Sequence, residues 1–564
     1  MSFFKQRGFE VGAWIWTFMI RSDDRYVHMT SPDGRVSATQ ICPSDVAFRA
    51  FAGQYVQEIA RCGVDMIMYD DDFRYGFIDI GMGCTCKNHL ARMSKILNEE
   101  IAAEGLSEKL LAGSRNKYRS AWLLANGEFF RQFAREMRGK LDEVNPEVRF
   151  GPCSCMSLWD FDGVSTAEIS RILAGNTKPF MRLIGAPYWS VNRSWGNRLQ
   201  DVIELERMER SWCDDDIEIF GEGDVHPRPR FACPANYLEG FDTALRADGR
   251  MDGILKYVVD YSSGADYETG YMQRHLHNEP LYEQIERHFS GKMLCGVRVW
   301  ETMCKFEDAE IPEEVAGTTD VQDMFFSPAA RMMAGNSIPT IYKGVGVAGV
   351  AFGENVKYIS GKALENGLIL DAKAASILTE RGVDVGITAI GERTSVFEEH
   401  FLKDDEYVPV TDARAYKMTL SDKAQLQSVF TMGNESIPAS YLYENVNGQK
   451  FLVFTFNAYF APETLFRQYT RSRQLADAIT LFFSHPLPAY SFGNPDLYLL
   501  CKERAGALAV GLWNFFADSI LKPEVMLDKV YKKITFINCT GELQGNRVIL
   551  NELQPFAFAG FEVE

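Results

Sequence analysis

Val64-Asp-Met-Ile-Met-Tyr-Asp-Asp-Asp-Phe-Arg74 is a short apolar run that stops abruptly in three acids and an arginine. The run has the length of a strand, with Gly63 in front and a charged turn behind. Successive strand side chains point to opposite faces, so the acids cannot all be buried in one place. Alternation places Asp70 and Asp72 on one side if the strand persists. Acids crowded at a strand end are costly unless solvated, paired or used. The C-terminal ends of strands are where α/β barrels keep their reactive groups. The stretch therefore reads as half of a candidate site, with a solvated acidic loop as the alternative.

Around this stretch, strand and helix signals alternate. Strand candidates are Glu10–Trp16, Asp65–Tyr69, Val148–Cys155, Phe180–Tyr188, Ile217–Glu222, Gly253–Asp260 and Met293–Glu301. Between them, Asp45–Arg61 repeats Phe48, Phe51, Tyr55 and Ile59 along one helical face. Asn116–Leu141 repeats Trp122, Phe129, Phe130, Phe133, Met137 and Leu141, and Asn145-Pro146 closes it. Seven such units predict an α/β fold with a (β/α)8 TIM-type barrel over residues 1–310. The eighth strand is expected in Arg21–Cys42 or after Glu301, and a doubly wound open sheet is the alternative. The acidic, weakly periodic Phe306–Asp323 marks a boundary. Residues 311–485 read as a flavodoxin-like α/β domain, and 486–564, with short strands between turn-formers, as a small β-sandwich.

Composition narrows the possible partners. The chain has 564 residues, enough for several domains that each bury a core. A net charge of −18 opposes binding to nucleic acid or to an anionic membrane. No run of eighteen apolar residues reads as a membrane span, and the first residues do not read as a secretory signal. The 12 cysteines are scattered rather than framed as disulfides, so a reduced, cytoplasmic setting is expected.

A second acidic strand end is Ile217-Glu-Ile-Phe-Gly-Glu-Gly-Asp-Val-His-Pro-Arg-Pro-Arg230. Glu222 lies between two glycines that let the backbone bend and a substrate approach. Asp224, His226, Arg228 and Arg230 follow in one loop, where arginines can keep a carboxylate ionised or clamp an oxyanion. An ordinary surface salt-bridge loop is the alternative. The Asp70–Asp72 strand counts as second and the Glu222 strand as fifth, which sets them across the mouth of an eight-stranded barrel. Two facing carboxylates are the arrangement that cleaves a glycosidic bond. Asp72, nearest the mouth, pairs with Glu222 as the first choice; Glu301, beside Trp300, is a third candidate and Asp260 a weaker fourth. Arg74 and Asp71 flank Asp72, and Trp14, Trp16, Trp159, Tyr188 and Trp189 supply aromatic faces for a sugar ring.

Cys84-Thr-Cys86-Lys-Asn-His89 offers three zinc ligands and Cys153-Ser-Cys155 two more, but structural zinc wants four closed ligands, usually at CxxC spacing, which neither stretch has. Buried free thiols are therefore the expectation, with no cofactor required and a structural zinc at Cys84 and Cys86 as the lesser alternative. No GxSxG elbow, phosphate loop, HExxH or dinucleotide fingerprint is present, and Gly344-Val-Gly-Val-Ala-Gly349 lacks the strand-turn-helix context.

The three-part layout resembles the family 42 β-galactosidase type of glycoside hydrolase, and Gly63–Arg74 with the Cys84-Thr-Cys86 helix resembles the barrels of related, poorly characterised hydrolase families. Ser337-Ile-Pro-Thr340, Gly367–Asp371 and Arg381-Gly382 resemble their amidotransferase-like middle domain, and Pro486–Tyr490 with Trp513-Asn514 their closing region. That resemblance implies a three-domain glycosidase that acts on sugars and assembles as a homo-oligomer. The family's Asn-Glu pair after the fourth strand has no counterpart here, so β-galactosidase specificity is not carried over. The expectation is a glycosidase acting on short oligosaccharides or small glycosides. A retaining mechanism is expected, with Glu222 as nucleophile and Asp72 as acid/base; the reverse assignment is the alternative. The alternatives are a metal-dependent barrel lyase, isomerase or hydrolase liganded by Asp70, Asp72, Glu222, Asp224 and His226, and a sugar-binding protein without turnover.

Overall fold

The computed structural model describes the chain outside residues 21–23, 155–160, 192–197, 227–232, 258–269, 304, 312–325, 434 and 493–495. Among the described residues its N-terminal part holds six short parallel strands, each followed by helix: Gly12–Ile15, Met66–Tyr69, Arg149–Pro152, Phe180–Arg182, Glu218–Gly223 and Gly253–Lys256. The first three form one sheet and the last three another, and a parallel bridge between Cys153 and Arg182 joins them in chain order. Trp14 of the first strand meets Tyr257, just past the sixth, at a ring distance of 6.2 Å. The Met66–Tyr69 strand is thus second and the Glu218–Gly223 strand fifth, as counted from the sequence.

Met293–Glu301 is not a further strand of this series. Met293–Cys295 runs antiparallel to Leu497–Arg504, whereas Val297–Val299 lies parallel to Thr340–Ile341 and Gly349–Ala351. Gly296 divides the two halves, and a Cβ there would meet the Pro339 carbonyl oxygen at 2.2 Å. Arg21–Cys42 contributes an antiparallel pair, His28–Thr30 with Val36–Ile41, rather than an eighth parallel strand.

The middle sheet has nine strands among the described residues. Five are parallel, as an α/β domain requires, and are extended by an antiparallel set that includes the long hairpin Ile387–Phe401 and Glu406–Leu420. The flavodoxin-like expectation missed this set. The C-terminal part consists of antiparallel sheets packed around Leu499, Val510, Leu512, Val525, Val548 and Phe561. The molecule is therefore α/β with a sheet-rich C-terminal region, and no described helix is long and apolar enough to cross a membrane.

Two helices brace the site strands. Lys117–Asp142 is capped by Asn116, whose side chain accepts the Arg119 amide, and it buries Trp122, Phe130, Phe133, Met137 and Leu141. Val46–Arg61 is capped by Asp45, which accepts the Phe48 amide at 2.8 Å. Its buried face is Phe48, Ala52, Val56 and Ala60, not the expected aromatic stripe. Phe51 and Tyr55 instead stack on each other at the surface, because the small residues allow the closer helix contact.

Candidate active site

The second strand ends at Tyr69, and the three acids then part company. A turn follows in which the Phe73 amide bonds to the Asp70 carbonyl, so alternation stops there. Asp72 is 2% exposed, and its carboxylate accepts the Thr17, Phe18 and Met19 amides at 2.9, 2.6 and 2.7 Å. Burial pushes Asp72 up to about 7, against the pull of those amides. Its oxygens hold the segment after the first strand; it is an anchor, not the open acid expected at the mouth.

Asp71 turns the other way and pairs with Arg74 Nη1 at 3.2 Å. Burial acts to raise Asp71, but Arg74 and Arg182 outweigh it and hold the group below its ordinary value. Burial, and then the Asp71 charge, push half-buried Asp70 up to about 6. Arg74 also donates to the Phe77 carbonyl at 3.0 Å, which fixes the turn.

Glu222 lies next to the end of the fifth strand and is 4% exposed. Its Oε1 meets Arg182 Nη1 at 2.9 Å, and its Oε2 accepts the Gly185 amide at 2.9 Å. Burial pushes Glu222 up to about 7; Arg182 opposes this and the Asp71 charge adds to it. The flanking glycines serve packing rather than substrate approach: a Cβ on Gly223 would meet Lys256 Cα at 2.8 Å, and one on Gly221 would meet Leu245 at 2.9 Å.

Arg182, which sequence reasoning passed over, joins the two acidic strand ends. It is 3% exposed at the end of the fourth strand, its charge acts on Asp70, Asp71 and Glu222, and the Trp14 ring lies 5.8 Å from its guanidinium carbon. The signal was a lone arginine in Phe180-Met-Arg-Leu-Ile184, since a charge inside an apolar strand demands partners. Tyr188 is half-buried; burial and the Glu222 charge push its phenol up, and it meets exposed His226 edge-on at 5.6 Å. Asp224 is buried and accepts the Val225 amide at 2.6 Å. Trp14 and Trp16 are exposed, while Trp189 packs on Phe326 at 6.1 Å, toward the middle domain. Arg228, Arg230, Trp159, Cys155 and Asp260 lie outside the described residues.

Glu301 belongs elsewhere. Its buried carboxylate takes Lys305, Asn355 at 2.8 Å, Tyr459 at 3.0 Å and Ser327 at 2.6 Å. Satisfied on every side, it ties the strand after Gly296 to the middle domain and is no longer a candidate for chemistry. The ligand set considered for a metal is not gathered either, because Asp72 is held by amides while Asp70 and Glu222 flank an arginine.

A different set is gathered. Cys42, Cys84, Cys86 and His89 are all buried, with ligand atoms within 4.8 Å of one another. Cys42, 42 residues before Cys84, is the fourth ligand that local spacing lacked. Another acidic group, Glu239, Asp242 and His275, is already bridged by the Lys256 ammonium, 2.5 Å from Glu239 and 2.6 Å from Asp242.

No family model and no curated protein matches the sequence. Solved structures do resemble it. An α-L-fucosidase, isoenzyme 2 from Paenibacillus thiaminolyticus, superposes with TM-score 0.64 at 11% identity, over 100% of this chain and 88% of that one. A polyextremophilic β-galactosidase from Halorubrum lacusprofundi gives 0.61 at 13%, over 98% and 89%. A GH42 β-galactosidase from G. stearothermophilus gives 0.59 at 12%, over 99% and 89%. The chain therefore shares its fold, across nearly its whole length, with GH42 β-galactosidases and this α-L-fucosidase.

Proposed function

We propose that the protein is a glycoside hydrolase in which Asp71 and Glu222 are the working carboxylates. One observation carries the reading: the two groups converge on Arg182 with proton affinities displaced in opposite directions. Such a pair divides acid from nucleophile at one pH. Glu222, pushed up to about 7, keeps a proton to give to the leaving oxygen; Asp71, held ionised, attacks the anomeric carbon. This is the retaining course, with the two roles reversed from the first expectation and Asp71 in place of Asp72. Trp14 offers its exposed face to the sugar, and the six parallel strands form the greater part of a (β/α)8 barrel over 1–310. Short glycosides are the substrate class, and the glycosidase fold supports that reading.

The test is a panel of aryl glycosides of both anomers, assayed with a chelator present. Turnover of at least one glycoside is expected, and a panel that stays silent counts against the reading. The pH dependence adds a second check. kcat/KM should fall as pH rises through about 7, where Glu222 loses its proton. It should also fall in acid, where Asp71 gains one. An alkaline limb that begins above pH ~9 would remove Glu222 as the acid. A sugar-binding protein without turnover is the second reading, favoured by the partners already on both Glu222 oxygens. Ligand binding with no hydrolysis would decide for it.

The Cys42, Cys84, Cys86 and His89 set has the chemistry of a closed structural zinc site, three thiolates and an imidazole. It would pin the loop after Val36–Ile41 to the helix Lys87–Leu97, behind the second strand. Protein purified without chelator is expected to carry about one zinc per chain, and Cys42→Ala to lose it with a fall in Tm of roughly 10 °C. A metal-free protein that takes up no added zinc would leave the four as plain thiols and a histidine.

A further inference from the structure

Helix Leu199–Trp212 buries six polar side chains: Gln200, Asp201, Glu204, Glu206, Arg207 and Glu209. One group faces the other domains: Asp201 pairs with Arg467 at 2.6 Å, and Glu204 accepts Thr340 at 2.7 Å and Tyr342 at 2.6 Å. Glu206 and Glu209, one turn apart, face the ends of the fourth and fifth strands instead. Glu209 Oε2 accepts the Ile184 amide at 3.1 Å, and Glu206 Oε1 accepts the amide of Glu222 itself at 2.8 Å. Gly221 makes room for this approach, since a Cβ there would lie 3.3 Å from Glu206 Oε2.

We propose that Glu206 is a positioning residue for Glu222: its carboxyl oxygen fixes the Glu222 amide, and through it the direction of the Glu222 side chain toward substrate. This deepens the glycosidase reading and rests on it. Glu206 is fully buried, and its second oxygen, Oε2, has no hydrogen-bond partner among the described residues. The charged groups that face it are Glu222, Glu209 and Arg182. Arg182 is already paired with Glu222. Burial therefore keeps the proton on Glu206, well above the ordinary carboxyl range. A neutral acceptor holds the strand end without placing a further negative charge behind the acid. Placing a reacting group wrongly by about 1 Å costs roughly a hundredfold.

The experiment compares Glu206→Gln with Glu206→Leu in the full-length protein. Steady-state kinetics are measured on the glycoside found in the panel, and Glu222 is titrated by NMR on protein labelled at glutamate carboxyl carbons. Glutamine keeps the acceptor and the neutrality, so kcat should stay within about threefold and the Glu222 titration should not move. Leucine removes the acceptor, so kcat should fall about a hundredfold with KM little changed, and the Glu222 titration should shift. Full kcat in Glu206→Leu overturns the proposal, and so does a Glu206→Gln variant as impaired as the leucine one. If Glu206→Leu does not fold, the wild-type spectrum still decides, since a Glu206 carboxyl that ionises below pH ~6 is incompatible with the neutral role. The NMR readings need no turnover. They stand even if the glycoside panel is silent, which would count against the reading of Glu222 and not against its tie to Glu206.

Discussion

Glu222→Gln is expected to lower turnover of the best glycoside by three orders of magnitude or more. The amide matches the carboxyl in shape and still accepts the Gly185 N–H, but it carries no proton at a useful affinity. A general acid contributes about 10²–10⁴ in rate, and loss of the Arg182 partner disturbs Asp71 and Asp70 as well. Glutamine carries the same charge as the protonated acid, so below about pH 7 little loss of stability is expected; above it, the variant lacks the carboxylate that would pair with Arg182. Circular dichroism and Tm on the same preparation separate the two effects: the fold should persist while turnover collapses. Activity that survives would hand the acid role to Asp70, which burial has already pushed up to about 6.

Arg207→Met should be the most destabilising single change outside the site, at about 3–5 kcal/mol in urea unfolding. The Arg207 guanidinium is fully buried and binds Asp248 at 2.7 Å, Thr340 Oγ1 at 2.7 Å, the Thr340 carbonyl at 2.8 Å, Tyr498 at 2.9 Å, and Glu204. These partners come from the N-terminal part, the middle sheet and the C-terminal sheet, so one side chain joins three regions. Methionine replaces only the aliphatic stem and removes the charge, which leaves Glu204 without the Arg207 counter-charge in an interior site. Burial acts to raise Asp248, but Arg250 and Arg207 outweigh it and hold the group low. A carboxyl depressed in this way stabilises above its unfolded pKa and loses that contribution as pH falls through its folded one. The variant should therefore show less of this acid dependence, because only Arg250 remains. A loss below ~1 kcal/mol would mean that water or neighbouring groups replace the arginine.

The same helix shows where reading a sequence stops. Leu-Gln-Asp-Val-Ile-Glu-Leu-Glu-Arg-Met-Glu, residues 199–209, has the polar density of a surface helix, yet every one of these residues is buried. Local hydropathy cannot reveal this, because the buried polar groups find partners far away in the chain: Arg207 at Asp248 and Tyr498, Asp201 at Arg467, Glu206 at the Glu222 amide. Glu301 misled for the same reason. It ends a strand beside a tryptophan, but its partners Asn355 and Tyr459 reach it from the middle domain. Asp72 was chosen for its place nearest the strand mouth, and three amides of another strand's loop turned it inward.

What the sequence by itself determined was the alternation of strands and helices, the two acidic strand ends at Asp70–Asp72 and Glu222, and the sheet-rich close of the chain. Those properties follow from periodicity and turn chemistry within a few residues, and neighbours along the chain carry them. Only the tertiary structure decided which acid is pinned by amides and in which direction burial and neighbouring charges push each one. Proton affinity depends on burial and on the nearest charge, and here that charge is Arg182, 40 residues before Glu222 and on a different strand. The fourth member of the cysteine–histidine set, Cys42, had to be brought to Cys84 and Cys86 by the fold in the same way, since no spacing rule spans that separation.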